Sequence, residues 1–159
     1  MAIRFDVTLR NGKLFHGRLR WHEKGLDSPV SSGPWGNGAL PMGSYWVRRG
    51  ALDDRTGKPP FCDLVGNCWF QFIEPRFATT RTGLGLHPDG GVQGTKGCIG
   101  LLDSDTTAWR HALSSLTSDE SLEVVDSGIL HPAAYELLVT PSPEAQSLWP
   151  PDTQAGLER

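Results

Sequence analysis

Apolar and polar residues alternate from the first positions of the chain, with Ile3, Phe5, Val7 and Leu9 on one face of an extended segment and Arg4, Asp6, Thr8 and Arg10 on the other. A period of two is the pattern of a half-buried strand, and the Asn11-Gly12 pair that follows is a strong hairpin signal. Beyond the turn Leu14 keeps to the same face, while Phe15, Leu19 and Trp21 fall on the other. A bulge, or a strand buried on both faces, is needed there, because a one-residue slip turns every side chain over. Residues 25–43 are mostly Gly, Pro, Ser and Asn and read as a long loop delivering into a strand over 44–48. A second polar stretch, 51–60, leads to Phe61 and to the bulky run 68–74, which suits a core strand. Two short strands, 83–87 and 98–102, flank an irregular Gly-rich loop. Asp103 or Ser104 can cap a helix carrying Ala108, Trp109, Ala112, Leu113 and Leu116 on one face. Residues 122–125 and 136–139 read as late strands, the second with a helical alternative.

The chain of 159 residues has the length of one domain, enough to bury roughly 70% of the surface its unfolded form exposes. With 19 Gly, 12 Pro and a single convincing helix, it is predicted to be mainly β. The domain is expected over residues 1–140, followed by a Pro-rich tail over 141–159 that wraps the surface or stays disordered. A net charge of −3 without a Lys/Arg stripe gives no electrostatic reason for a nucleic-acid partner. No stretch is apolar for long enough to span a bilayer, and the alternating start does not read as a secretory signal. A protein of this kind working outside the cytoplasm needs another route of export.

Three cysteines cannot all pair within one chain. Cys62 and Cys68 are close in sequence and form either a disulfide or two buried thiols, while Cys98 stands apart. At an unperturbed pKa of ~8.5 about 3% of a thiol is ionised at neutral pH, so a nucleophilic Cys98 needs help. The setting Thr95-Lys96-Gly97-Cys98-Ile99 puts the sulfur after a Gly-containing turn, where backbone N–H groups can converge, and Lys96 adds a positive charge. His87 lies eleven positions earlier, so two adjacent strands joined by a broad loop can bring imidazole and thiol together. A thiolate and an imidazolium about 4 Å apart attract by roughly 4 kcal/mol at an effective dielectric of 20, enough to move the thiol pKa by about three units. From spacing alone, a surface histidine and a buried core thiol account for the same residues.

The run from His87 to Thr95-Lys96-Gly97-Cys98-Ile99 resembles the active-site motif of the L,D-transpeptidase (YkuD-like) catalytic domain, in which a histidine precedes a Ser/Thr-x-Gly-Cys-Ile turn. It is most similar to the short variants found in cell-wall effectors of type VI secretion systems. Upstream, Ser32-Gly33 and Leu40-Pro41-Met42-Gly43-Ser44-Tyr45 resemble the stretch that precedes the active site in the same families, so the likeness covers residues 1–126 in outline. It implies a β-sandwich or open barrel with one flanking helix. It further implies a cofactor-free enzyme in which Cys98 attacks the L,D bond of a peptidoglycan tetrapeptide stem and expels D-alanine. The acyl group then passes to a stem amine, a free D-amino acid or water. On this reading His87 is base and then acid, Gly97 and Cys98 supply oxyanion N–H groups, and the Thr95 hydroxyl orients the turn. The expected substrate contacts are Arg81, Trp35 and Tyr45. Such an antibacterial toxin would act in the periplasm or cell wall after delivery by a secretion system or phage, and as an effector it would have an immunity protein.

Two positions depart from the family pattern: Pro88 stands where Gly usually follows the histidine, and Gly100 where Arg usually follows Cys-Ile. Arg81, Lys96 and Arg76 are the nearby cations that can replace that arginine. His87 is left to be oriented by Asp89, two residues on, or by a backbone carbonyl. Two other readings compete. Cys62, Cys68, Cys98 and His87 offer a structural zinc set, although five residues separate the first pair instead of the usual two to four. A non-catalytic wall-binding module would grip its ligand with exposed aromatics, Trp35 first among them, since Trp21, Trp46, Trp69 and Trp109 lie on core patterns. His16, His22, His111 and His131 show no partner pattern, and Asp53-Asp54-Arg55 reads as a solvated turn.

Overall fold

The computed structural model describes residues 2–128. Eight strands, β1 (Ile3–Asn11), β2 (Leu14–Trp21), β3 (Leu26–Ser32), β4 (Gly43–Asp54), β5 (Trp69–Pro75), β6 (Gly85–Pro88), β7 (Ile99–Leu101) and β8 (Glu120–Asp126), close into a barrel in the order β1-β2-β3-β7-β6-β5-β4-β8. The mainly β reading with one flanking α-helix holds for the described residues. The sheet is a closed barrel, because β8 pairs with β1 and leaves no free edge among these strands. The element expected over 136–139, the domain boundary at 140, the tail from 141 and His131 lie outside the described residues.

The first hairpin forms as the alternation requires, with Asn11 opposite Leu14, so that Gly12 and Lys13 make the turn, Gly12 at φ 56°. The bulge needed to reconcile the two apolar faces sits in β1 at Thr8, ahead of the turn, where the register shifts between Val7 and Leu9. Residues 26–32 were expected to be loop and form β3 instead. There the inward Ser28 takes a hydrogen bond from Trp109 Nε1 at 2.8 Å, so a polar side chain occupies a core position without an unsatisfied group. Strand β4 runs past its expected end to Asp54 by accommodating extra residues between Val47 and Leu52, and the buried Gln71 amide stitches that bulge by donating to Arg48 O at 2.8 Å.

The barrel core gathers Phe5, Leu19, Val30, Trp69, Ile73, Leu86, Ile99, Leu101 and Val124. Helix α1 (Thr107–Ser114) adds Trp109, Ala112 and Leu113 to it. It starts later than Asp103 or Ser104 would place it. Asp105 accepts from Thr107 N at 2.9 Å, and Asp63, on another loop, accepts from Thr106 N and Oγ1 at 2.8 and 2.9 Å. Burial pushes the Asp63 carboxyl up, yet its hydrogen bonds from Thr106 and Asn67 outweigh this and hold it below the usual carboxylate range. Asp63 thereby fastens the loop carrying Cys62 and Cys68, which are joined as a disulfide, to the start of the helix. Trp46 is only half-buried, on the outer surface with the Arg76 guanidinium 4.2 Å from its ring centroid.

Candidate active site around Cys98 and His87

Strands β6 and β7 are parallel neighbours, so the loop between them must carry the chain back across the sheet to its starting end. Their register sets Leu86 opposite Ile99 and His87 opposite Gly100. Leu86, Ile99 and Leu101 belong to the barrel core. Because side chains alternate along a strand, His87 and Cys98 share the opposite, outer face as diagonal neighbours. The pairing that spacing made feasible is thus built from two adjacent strand ends.

On that outer face an aromatic layer covers both groups. The His87 ring lies 5.1 Å from Phe61 edge-on and 5.9 Å from Phe70 in a stacked arrangement, and Cys98 packs with the same two phenylalanines. Phe61 comes from a short 3-10 turn, Pro59–Phe61, next to the Cys62–Cys68 disulfide. Phe70 can lie across β6 only because Gly85 has no side chain; a Cβ there would sit 2.3 Å from the ring. Arg55, read as part of a solvated turn, instead has a side chain only 11% exposed, with its guanidinium 4.8 and 4.7 Å from the Phe61 and Phe70 centroids. Both His87 and Cys98 are fully buried beneath this layer.

His87 Nδ1 lies 2.7 Å from Pro88 O. A carbonyl only accepts, so Nδ1 carries a proton, and in the neutral ring the lone pair is at Nε2. A backbone carbonyl orients the histidine, and Asp89 does not take that bond. Cys98 is a free cysteine, with Sγ 3.8 Å from Gly83 O. The preceding turn is organised by the buried Thr95 hydroxyl, which donates to Cys98 O at 2.8 Å and accepts from Gly33 N at 3.0 Å and Gly97 N at 3.3 Å. The Thr95 hydroxyl thus joins the turn to the Ser32-Gly33 segment. Gly97 N–H, expected to face an oxyanion, is committed to this hydroxyl instead. Gly97 itself sits at φ 133° with Arg81 Nη2 only 2.1 Å from where a Cβ would be.

The remaining expected contacts divide. Arg81 crosses Gly97 and donates to Ala39 O, Gly38 O and Lys96 O at 3.2, 3.0 and 3.5 Å, which brings a fixed cation to the nucleophile turn. Lys96 is half-buried, its stem against Gly36. Trp35 is half-buried with Nε1 against Gly94, so it is not the exposed gripping aromatic that a wall-binding module would use. Tyr45 is a core residue whose hydroxyl donates to Pro41 O and braces the 41–45 loop; burial raises its pKa, against a smaller lowering by the Arg81 charge. Arg76 is engaged with Trp46. The zinc reading loses two of its four ligands, since Cys62 and Cys68 bond to each other.

Asp89, set aside in the sequence as solvent-facing or an orienter of His87, is completely buried. Its carboxyl occupies the space that a side chain at Gly100 would fill: a Cβ there would lie 2.6 Å from Asp89 Cβ and 2.8 Å from Oδ2. Burial pushes its pKa well above 3.8, against a smaller opposing effect from the Gly94 N–H that donates to Oδ2 at 3.0 Å. Above 3.8 an unfolded Asp is ionised while native Asp89 keeps its proton, so the native state binds more protons there. Stability is therefore expected to fall as pH rises through the native pKa of Asp89, and Asp89→Asn should remove that fall; thermal midpoints from pH 4 to 9 read it. Identical pH profiles for the two proteins would contradict the assignment. Neither the burial of Asp89 nor the Phe61, Phe70 and Arg55 cover had a local sequence signal, because β-pairing and the loop crossing bring them together. No protein-family model, curated protein or solved structure matches the chain.

Proposed function

We propose that the protein is a cysteine-dependent acyl transferase of the L,D-transpeptidase type, acting on peptidoglycan tetrapeptide stems. The observation that carries the reading is the placement of His87 and Cys98 on one face of adjacent strands, with the imidazole lone pair fixed at Nε2 by the Nδ1–H bond to Pro88 O. Nε2 takes the thiol proton, Sγ attacks the carbonyl of the L,D bond, and the same proton goes to the leaving amine of D-alanine. In the second half an amine or water attacks the thioester, His87 Nε2 takes a proton from it, the C–S bond breaks, and that proton passes to the sulfur. Arg81, fixed across Gly97, supplies the cation for the stem carboxylate in place of an arginine at position 100. Cys98 is closed to solvent in this state, so the stem reaches it when the cover over it shifts.

Action in the cell wall belongs to the same proposal. The Cys62–Cys68 disulfide supports it, since such bonds persist in oxidising compartments such as the bacterial periplasm. Delivery by a secretion system or phage, and a cognate immunity protein, rest on the likeness to short effector variants. The test is mass spectrometry of disaccharide-tetrapeptide incubated with the protein and excess D-methionine. Loss or exchange of the terminal D-alanine, abolished in Cys98→Ala, is expected; an unchanged tetrapeptide with folded protein would refute the reading.

A further inference from the structure

Asp89 is the buried polar group on the Cys98 face that the acyl-transfer chemistry above leaves unused. It follows His87 by two residues on the same strand line, with Asp89 N donating to Leu101 O at 2.8 Å, so its side chain projects from the same face as His87. Its carboxyl lies over Gly100, which is opposite His87 and two residues after Cys98. Oδ2 accepts from Gly94 N–H, while Oδ1 is buried with no hydrogen-bond partner among the described residues. Once Asp89 ionises, an oxygen held in that condition costs free energy until something donates to it.

We propose that Asp89 forms an ammonium-binding subsite beside Cys98, with Oδ1 accepting an N–H of the primary amine that receives the acyl group. The proposal deepens the acyl-transfer reading and rests on it for the identity of the reaction. The acceptor enters as an ammonium ion paired with the ionised Asp89 carboxylate and gives it one proton; the neutral nitrogen then attacks the thioester carbonyl and gives a second proton to His87 Nε2 as the C–S bond breaks. The His87 proton then returns to the sulfur. Arg81 lies against Gly97 on one side of Cys98 and Asp89 over Gly100 on the other, so opposite charges flank the sulfur once Asp89 ionises. That arrangement suits an α-amino acid, with its ammonium at Asp89 and its carboxylate at Arg81.

The test reads the charge of the site without requiring acyl transfer. Cys98 is the one thiol outside the disulfide. Its rates of modification by 2-aminoethyl methanethiosulfonate and by the anionic 2-sulfonatoethyl reagent are compared from pH 5 to 9 in the wild type and in Asp89→Asn. The isostere keeps its amide oxygen on the Gly94 N–H and places an NH2 where Oδ1 was, turning an acceptor into a donor. The other charged groups around the site are His87 on the same face, Arg55 over the phenylalanines, Asp63 behind Gly90, and Arg81 and Lys96 at the turn. All are common to both proteins, so the comparison isolates position 89.

Ionisation of Asp89 should make the cationic-to-anionic rate ratio rise with pH, to at least about tenfold above that of Asp89→Asn, as one unit charge about 6 Å from oppositely charged reagents implies even at the dielectric of water. Equal ratios at every pH would overturn the proposal and reduce Asp89 to a brace for the 89–94 turn. No labelling by either reagent would overturn it as well, since a face closed to so small a reagent cannot receive an amine. Asp89→Ser, which also removes the charge, serves if the Asn variant does not fold. A negative stem assay together with the charge dependence would instead count against acyl transfer and leave the ammonium site standing.

Discussion

Thr95→Val should destabilise the fold by about 4 kcal/mol and leave Cys98 in the wrong place. The substitution keeps the shape of the side chain and removes only the hydroxyl. That hydroxyl serves three backbone groups inside the protein, donating to Cys98 O and accepting from Gly33 N and Gly97 N. Thr95 is fully buried, so water does not replace what is lost. A buried group left without its partner costs roughly 1–3 kcal/mol, and the three act as one network. For a chain of this size the expected loss corresponds to a fall of about 10 °C in Tm. Calorimetry reads the stability, and Cys98 alkylation reads the turn. A variant within about 1 °C of the wild type would mean that the hydroxyl does not organise the loop.

His87→Gln should lower release of D-alanine from the tetrapeptide by about 10²–10⁴-fold, the usual range for removing a general acid–base group. It should also change the pH dependence of Cys98 alkylation. At pH 6.5 an ordinary thiol with pKa ~8.5 is about 1% ionised, whereas a thiol paired with imidazolium is largely ionised. The less basic thiolate is a weaker nucleophile, which returns part of the gain and leaves a rate advantage of roughly fivefold at that pH. The profile is the sharper readout: a plateau reaching below neutrality in the wild type, replaced in the variant by a single rise near the ordinary thiol value. Because His87 is enclosed by Phe61 and Phe70, glutamine keeps more of the packing volume than alanine would. Superimposable profiles would show that the histidine does not activate the sulfur.

How far the sequence predicts the structure depends on whether the physics at each position is local. The first hairpin is legible because alternation and a turn glycine act within a few residues, although the turn is Gly12-Lys13 and the bulge falls at Thr8. Strand β3 is hidden by its small polar residues. Ser28 is tolerated inside because Trp109, on the helix, donates to it, a partner supplied from 81 positions away. The helix face is legible, but its start is set by Asp105 and by Asp63 from a distant loop. His87, Thr95 and Cys98 are legible as a group because the motif spacing spans just two strands and their crossover. Asp89 is not, since its burial depends on Gly100 having no side chain to occupy the same space. Tyr45 was expected at the substrate and lies in the core, because a position in a motif does not specify which way a strand residue faces.

The account depends most directly on whether a stem is ever bonded to Cys98. Intact-protein mass spectrometry of the protein quenched in acid soon after mixing with disaccharide-tetrapeptide, followed by peptide mapping, measures this directly. The expected result is a mass increase equal to the substrate minus D-alanine, located on Cys98, labile to hydroxylamine as a thioester is, and absent from Cys98→Ala. Turnover of the tetrapeptide with no adduct on Cys98, or with undiminished activity in Cys98→Ala, would contradict the account.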